Sequence, residues 1–253
     1  MPRFRVGVQL HPQHCTIGEL RSAWRSADEL GVDSIWVWDH FFPLYGGDGP
    51  HFEGWSLLAA MAVDTAHARF GALVTCNSYR NPELLADMAR TVDQLSGGRL
   101  YLGIGSGWFE RDYREYGYEF GTRGGRLGDL EAALPRIRAR LDALDPGPAG
   151  ELPLLIGGGG EKVTLRLVAE HADAWNSFGP PDTFAHKNRV LDHWCAEIGR
   201  DPGEIERTVA LMDPGEIARI DAYLEAGATH VILGVGQPFD LTDVARLLEL
   251  SRG

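Results

Sequence analysis

Short apolar runs alternate with longer stretches of helical period along the whole chain, the pattern that parallel strands joined by crossover helices impose on a sequence. Eight runs have the β-branched and aromatic content of strands buried on both faces: Arg5–Leu10, Ser34–Trp38, Phe70–Cys76, Leu100–Gly105, Pro153–Gly157, Ala172–Asn176, Arg207–Leu211 and His230–Leu233. Eight helical segments accompany them. Their starts are marked by side chains that can satisfy free backbone N–H groups. Thr16-Ile-Gly-Glu19 has capping-box form, Asn81-Pro82 supplies an N-cap followed by proline, and Asp-Pro-Gly-Glu begins at both Asp201 and Asp213. A helix-to-strand joint recurs at 27–37, 93–105 and 224–235, each time with glycine where a helix has to end. The richest breaker stretch, 145–150, does not divide the chain, because a split there would leave four units on each side with open sheet edges. Closure removes those edges. The pattern therefore predicts an α/β fold, a (β/α)8 TIM barrel, as a single domain over 1–253.

The length of 253 residues suits one such barrel, for which about 250 is typical. Acidic residues outnumber basic ones 36 to 24, which argues against a general binder of nucleic acid or anionic membranes, since both rest on clustered Lys and Arg. An anionic ligand has to be held locally. Cys15, Cys76 and Cys195 are odd in number and far apart, so neither a disulfide framework nor a Cys-x-x-Cys pair is expected. The first residues lack the apolar core of a signal peptide, and no run approaches the roughly 18 apolar residues of a membrane span. A reducing cytoplasm is the expected compartment.

Barrels of this kind build their sites from the residues that follow each strand. Asp39 and His40 end the second strand, where an imidazole can hold or move a proton near neutral pH. The same position is compatible with a capping carboxylate and a packed histidine. Gly103-Ile-Gly-Ser-Gly-Trp108 allows close backbone approach to a ligand, or simply a tight turn, and is not a Rossmann fingerprint because its sixth position is Trp108. The strand ending at Gly157 runs through Gly158, Gly159 and Gly160 into a helix. That makes an anion site of bare amides at the favourable end of the helix dipole, suited to a phosphate. His11, Trp108 and Phe178, also at strand ends, are candidates for a substrate pocket. A metal-dependent barrel hydrolase using His11, His14 and His40 is the reading of another class. It lacks the His-x-His pair on the first strand that such hydrolases share, and no metal is expected.

Taken in order, 34–41, 70–113, 154–176 and 199–209 resemble the bacterial luciferase-like monooxygenase family, and within it the branch that uses the deazaflavin coenzyme F420. The resemblance covers nearly the whole chain. It implies an oxidoreductase that exchanges a hydride between F420 and a small organic substrate, with reduced FMN and molecular oxygen as the alternative chemistry. It further implies a bulged third strand with a non-prolyl cis peptide near Val74–Cys76. Asp39 and His40 would then lie beside the ring, with His40 catalytic. Thr75, Cys76 and Asn77 would contact the ring, and Gly105, Ser106 and Gly107 would hold the ribityl chain and phosphate together with Gly157 to Gly160. A homodimer through helices beside the second and third strands follows from the same likeness. Two departures stand out: sugar-phosphate dehydrogenases of the family carry glutamate where this chain has Trp108, and the stretch between Val209 and Asp221 is short.

Overall fold

The computed structural model describes residues 2–253. Nine strand segments, all parallel, close into a barrel of eight staves, the arrangement the alternating pattern predicts. They are β1 (Arg5–Leu10), β2 (Ser34–Val37), β3 (Arg69–Ala72), β4 (Thr75–Cys76), β5 (Leu100–Gly105), β6 (Leu154–Gly157), β7 (Ala174–Ser177), β8 (Glu206–Leu211) and β9 (His230–Val235). Strands β3 and β4 are two pieces of the third stave, and each pairs with β5. The helices outside are α1 (Ile17–Leu30), α2 (Gly54–Asp64), α3 (Pro82–Ser96), α4 (Glu110–Tyr116), α5 (Arg123–Ala143), α6 (Thr164–His171), α7 (Pro181–Ile198), α8 (Ile220–Glu225) and α9 (Thr242–Arg252). The main apolar core lies between staves and helices, and a smaller cluster of Trp36, Leu73, Tyr101, Leu155, Ala174, Ala210 and Ile232 fills the barrel interior.

The sequence signals map onto local structure with four differences. Thr16 and Glu19 form the expected capping box, and Asn81 caps α3 ahead of Pro82. The two Asp-Pro-Gly-Glu motifs open 3-10 turns instead of α-helices, because each Asp carboxylate accepts the glycine N–H two residues on, at 2.9 Å. The sixth stave begins at Ala174 and not Ala172, since the Ala172 N–H still caps α6 through Val168 and Asp173 is tied to Leu154. The third stave is interrupted after Ala72. Finally, nine helices are found among the described residues where eight are expected, the extra one being the short α4 after β5.

At the N-terminal end of the barrel a polar network replaces apolar filling. Glu206 accepts from Arg5 at 3.0 Å, from Tyr101 at 2.9 Å and from His230 Nδ1 at 3.1 Å, and His230 Nε2 meets the Ser34 hydroxyl at 2.8 Å. Although burial alone would raise it, the carboxyl of Glu206 is held down to about 2 by these partners, His230 and Arg5 foremost. A carboxylate with a depressed folded pKa stabilises the fold above its unfolded value and loses that contribution as pH falls through the folded one. Stability measured by urea unfolding should therefore fall between about pH 4.5 and 2, by an amount on the order of 3 kcal/mol, and Glu206→Gln should flatten that slope. An unchanged slope in the variant would show that other groups cause the loss.

Candidate functional site

The site begins where the third stave leaves the sheet. Leu73 donates its N–H to the Val37 carbonyl at 2.7 Å, and its own carbonyl accepts Gln9 Nε2 from inside the barrel at 3.0 Å. The Leu73–Val74 peptide is cis, one residue before the stretch in which the resemblance places it. The Val74 side chain lies over Gly105 and Gly157, where an added Cβ would come within 2.7 Å and 2.8 Å of its methyl groups. Those two glycines make room for Val74. The chain rejoins the sheet at Thr75–Cys76, and the Cys76 N–H is caught by the Asp39 carboxylate at 2.9 Å.

Asp39 is 1% exposed and is held by a two-pronged pair with Arg80, at 2.6 Å and 2.9 Å. Arg80 also reaches Glu53, at 2.7 Å, whose carboxylate caps the start of α2. Bidentate arginine–carboxylate geometry fixes both side chains in orientation as well as distance. The charge of Asp39 is thus committed to the loop framework, while the residue itself still borders the cavity.

His40 is positioned by a residue that sequence reasoning missed. Asp112, fully buried on α4, meets His40 Nδ1 at 2.7 Å and also accepts the Tyr79 hydroxyl at 2.8 Å and the Phe41 N–H at 3.1 Å. A carboxylate can only accept, so Nδ1 carries the hydrogen and Nε2 is the nitrogen left for the cavity. Burial pushes the Tyr79 phenol far above its ordinary range, aided by Cys76 and Asp112, and so keeps it a donor. The ring of His40 is packed edge-on against Trp108 and Phe109, at 5.6 Å and 5.4 Å between centroids.

On the opposite wall the chain leaves β6 through the glycine turn. The Gly158 N–H is used by the Asn176 carbonyl at 3.0 Å, whereas those of Gly159 and Gly160 meet no protein acceptor among the described residues. Gly158 has φ +125°, which side chains rarely adopt, and a Cβ on Gly160 would strike the Thr164 hydroxyl at 2.8 Å. Helix α6 starts only at Thr164, after a turn over 161–163 and not directly behind the glycines as the sequence suggests; it has no capping side chain, and its Leu165 N–H is taken by the Gly160 carbonyl at 3.0 Å. Lys187 packs its stem beside Gly159 while its ammonium pairs with Glu161 at 2.5 Å, and two arginines line the cavity. Arg123, at the start of α5, has no hydrogen-bond or ion-pair partner among the described residues, and Arg126 is anchored to the carbonyls of Gly107 and Phe120.

These parts enclose a cavity of about 360 Å3, within the range of ligand pockets, with the Leu73–Val74 bulge as its apolar floor. Of the residues singled out from sequence, Asp39, His40, Thr75, Cys76, Gly105, Ser106, Gly107, Gly157, Gly158, Gly159, Gly160, Trp108 and Phe178 line it. Two do not. Asn77 is buried in the turn that follows β4. His11 stacks on Trp38 at 4.6 Å against Tyr45 and is pushed down to about 4 by burial, so it is neutral at pH 7. Among the described residues no group of three or more His, Cys, Asp or Glu side chains is placed to hold a metal ion, and His11, His14 and His40 do not converge. The residues missed are Asp112, Tyr79, Arg80, Arg123 and Arg126. The available signal was the cluster of polar residues on the segments after the third and fourth staves.

A family profile described as luciferase-like monooxygenase matches residues 2–212, and the chain belongs to that family. It is 35% identical over 115 residues to the F420-dependent glucose-6-phosphate dehydrogenase of Amycolatopsis mediterranei (strain U-32), a match that takes in 44% of this chain and 34% of the relative. The chain thus spans about a third of that relative's length. Among solved structures, an F420-dependent secondary alcohol dehydrogenase in complex with an F420-acetone adduct superposes with a TM-score of 0.86 at 18% identity, covering 98% of both chains. The FMN complex of the oxygenating constituent of 3,6-diketocamphane monooxygenase from Pseudomonas putida gives 0.76 at 15% identity, covering 100% of this chain and 97% of its own. At these identities the structures establish the fold.

Removing one member of a buried ion pair leaves the other charged and unpartnered. Arg80→Met should accordingly cost roughly 3–5 kcal/mol in urea unfolding, and Asp39→Asn in the same chain should recover part of that loss. A single-variant cost below about 1 kcal/mol would mean that the pair is solvated in solution.

Proposed function

We propose that this chain is a coenzyme F420-dependent oxidoreductase that exchanges a hydride between the deazaflavin and a small organic substrate, with His40 as the proton partner. The observation that carries the reading is one cavity that joins an anion cradle on one wall to a carboxylate-held histidine on the other. The cradle of Gly159, Gly160 and Arg123 fits a phosphate, and the apolar floor at Leu73–Val74 fits a planar ring. F420-dependent proteins among both the relatives and the structural neighbours support it.

Bound deazaflavin would supply the two-electron chemistry. The chain's own residues do the rest. The Gly159 and Gly160 N–H groups and the Arg123 guanidinium would hold the phosphate, and Val74 would offer the ring an apolar contact. His40 Nε2, held in one tautomer by Asp112, takes the proton of a substrate hydroxyl on oxidation and returns it on reduction. Trp108 and Phe109 pack against the His40 ring and help to fix its position.

A second reading keeps every one of these residues but uses reduced FMN and oxygen. The FMN-bound neighbour favours it, and both cofactors present a tricycle, a ribityl chain and a phosphate. We also propose a homodimer, on the exposed apolar side chains Val63 of α2 and Leu84 and Leu95 of α3. A reducing cytoplasm is proposed on three free, buried cysteines. No described helix is long and apolar enough to cross a membrane.

Fluorescence titration of the purified protein should show tight binding of F420 and much weaker binding of FMN, and Arg123→Glu should weaken the preferred cofactor by at least about tenfold, or 1.4 kcal/mol. Tight FMN binding without F420 binding would replace the first reading by the second. His40→Gln should lower kcat by about 10²–10⁴ and Asp112→Asn by less, with cofactor affinity nearly unchanged in both. A His40→Gln enzyme of full activity would remove that residue from the chemistry.

A further inference from the structure

The two unbonded amides of the glycine turn are flanked by cations of different status. Arg123 Nη2 lies 3.9 Å from where a Cβ on Gly160 would stand, and Arg123 is unpaired. Lys187 of α7 approaches the other glycine, with its Cε and Cδ atoms 3.6 Å and 3.9 Å from the Cβ position of Gly159. Its ammonium, one bond past Cε, is held by Glu161 Oε1 at 2.5 Å. Glu161 directly follows the four glycines, so the carboxylate next to the cradle in sequence occupies the cation that packs on Gly159.

Three features leave this pair free to exchange partners. It is partly exposed, at 19% for the Lys187 side chain and 43% for that of Glu161, and such pairs contribute little to stability. Glu161 has a second partner, because His186 Nε2 meets the same oxygen at 3.0 Å, and Lys187 and His186 together hold its carboxyl below the usual carboxylate range. The backbone of the turn is fixed by other means: Trp194 Nε1 donates to the Glu161 carbonyl at 2.8 Å, and the Gly160 carbonyl accepts the Leu165 N–H at 3.0 Å. Lys187 can therefore leave Glu161 without uncoupling the turn from α7 and without stripping the carboxylate of its other neighbour. A phosphate on the two amides offers more charge and more acceptor oxygens than one carboxylate, and a lysine ammonium serves it as a movable point charge. Lys162, in the same turn, is exposed and is not among the atoms nearest to either glycine.

Resting on the reading of the glycine turn as a phosphate cradle, we propose that Lys187 is a second phosphate-binding cation for which Glu161 competes: the ammonium passes from the carboxylate to a bound phosphate, and Glu161 thereby lowers the affinity of the site.

The test titrates inorganic phosphate into the bare protein, read by phosphorus NMR line broadening, and F420 into the same samples, read by fluorescence. Lys187→Met should weaken both ligands by about tenfold, the loss of one charge-assisted contact. Glu161→Gln should tighten both by about threefold or more, since the competing carboxylate is gone. The double variant should lose that gain and bind no tighter than the parent protein. Lys162→Met removes the same charge at an exposed neighbouring position and should change either affinity by less than about twofold. Urea midpoints close to that of the parent protein report that each variant is folded. Weaker binding by Glu161→Gln, unchanged binding by Lys187→Met, a double variant as tight as Glu161→Gln, or a Lys162→Met effect as large as that of Lys187→Met overturns the proposal. Phosphate binding with the expected pattern but no F420 binding counts against the redox reading alone, F420 binding without the pattern counts against the role of Lys187 alone, and absence of binding by either ligand overturns both.

Discussion

Everything at the mouth of this barrel depends on how the Asp39 carboxylate is used. Buried just past the end of β2, it catches the Cys76 N–H and is itself clasped by Arg80. That arrangement sets where the third stave returns to the sheet, and so the position of the Leu73–Val74 segment that floors the cavity. Gln9 and the Val37 carbonyl complete the bonding of Leu73, so the departure from the ladder leaves neither polar group of that residue unpaired. Val74 can lie flat across the opening only because Gly105 and Gly157 have no side chains to meet it.

With the floor placed, charge is distributed around it with little overlap. One buried carboxylate, Asp39, holds the framework, and another, Asp112, orients His40. One guanidinium, Arg123, lies beside Gly160, and a second, Arg126, is tied to the Gly107 carbonyl across the cavity lining. Under the proposed function, this separation would let a single pocket hold a phosphate, support a planar ring and keep one imidazole nitrogen available. Membership of the luciferase-like monooxygenase family accounts for the barrel.

Much of this was legible in the residue order. The alternating pattern specified eight parallel staves, and capping chemistry located the starts of α1 and α3. Reading the residues after each strand brought out His40 and the glycine turn, because barrel geometry sends all strand ends to one face. Three things lay beyond it. The glycines at 157–160 look equivalent in sequence, yet Gly157 accommodates Val74, Gly158 bonds to the sheet, and Gly159 and Gly160 keep free N–H groups. Asp112 lies 72 positions from His40, and its role exists only after α4 folds back over the second stave. His11 follows a strand like the others but is turned into a stack with Trp38, which no periodicity encodes.

The central proposal is spatial: the Gly159–Gly160 amides and Arg123 would grip a phosphate, and the ring attached to it would rest on Val74 near His40. A crystal structure of the protein grown with F420 examines that claim most directly. The account predicts density for the phosphate against those two amides and for the tricycle above the Leu73–Val74 bulge, with His40 still bonded to Asp112. Density placing the phosphate away from the glycine turn, or the ring outside this cavity, would contradict it.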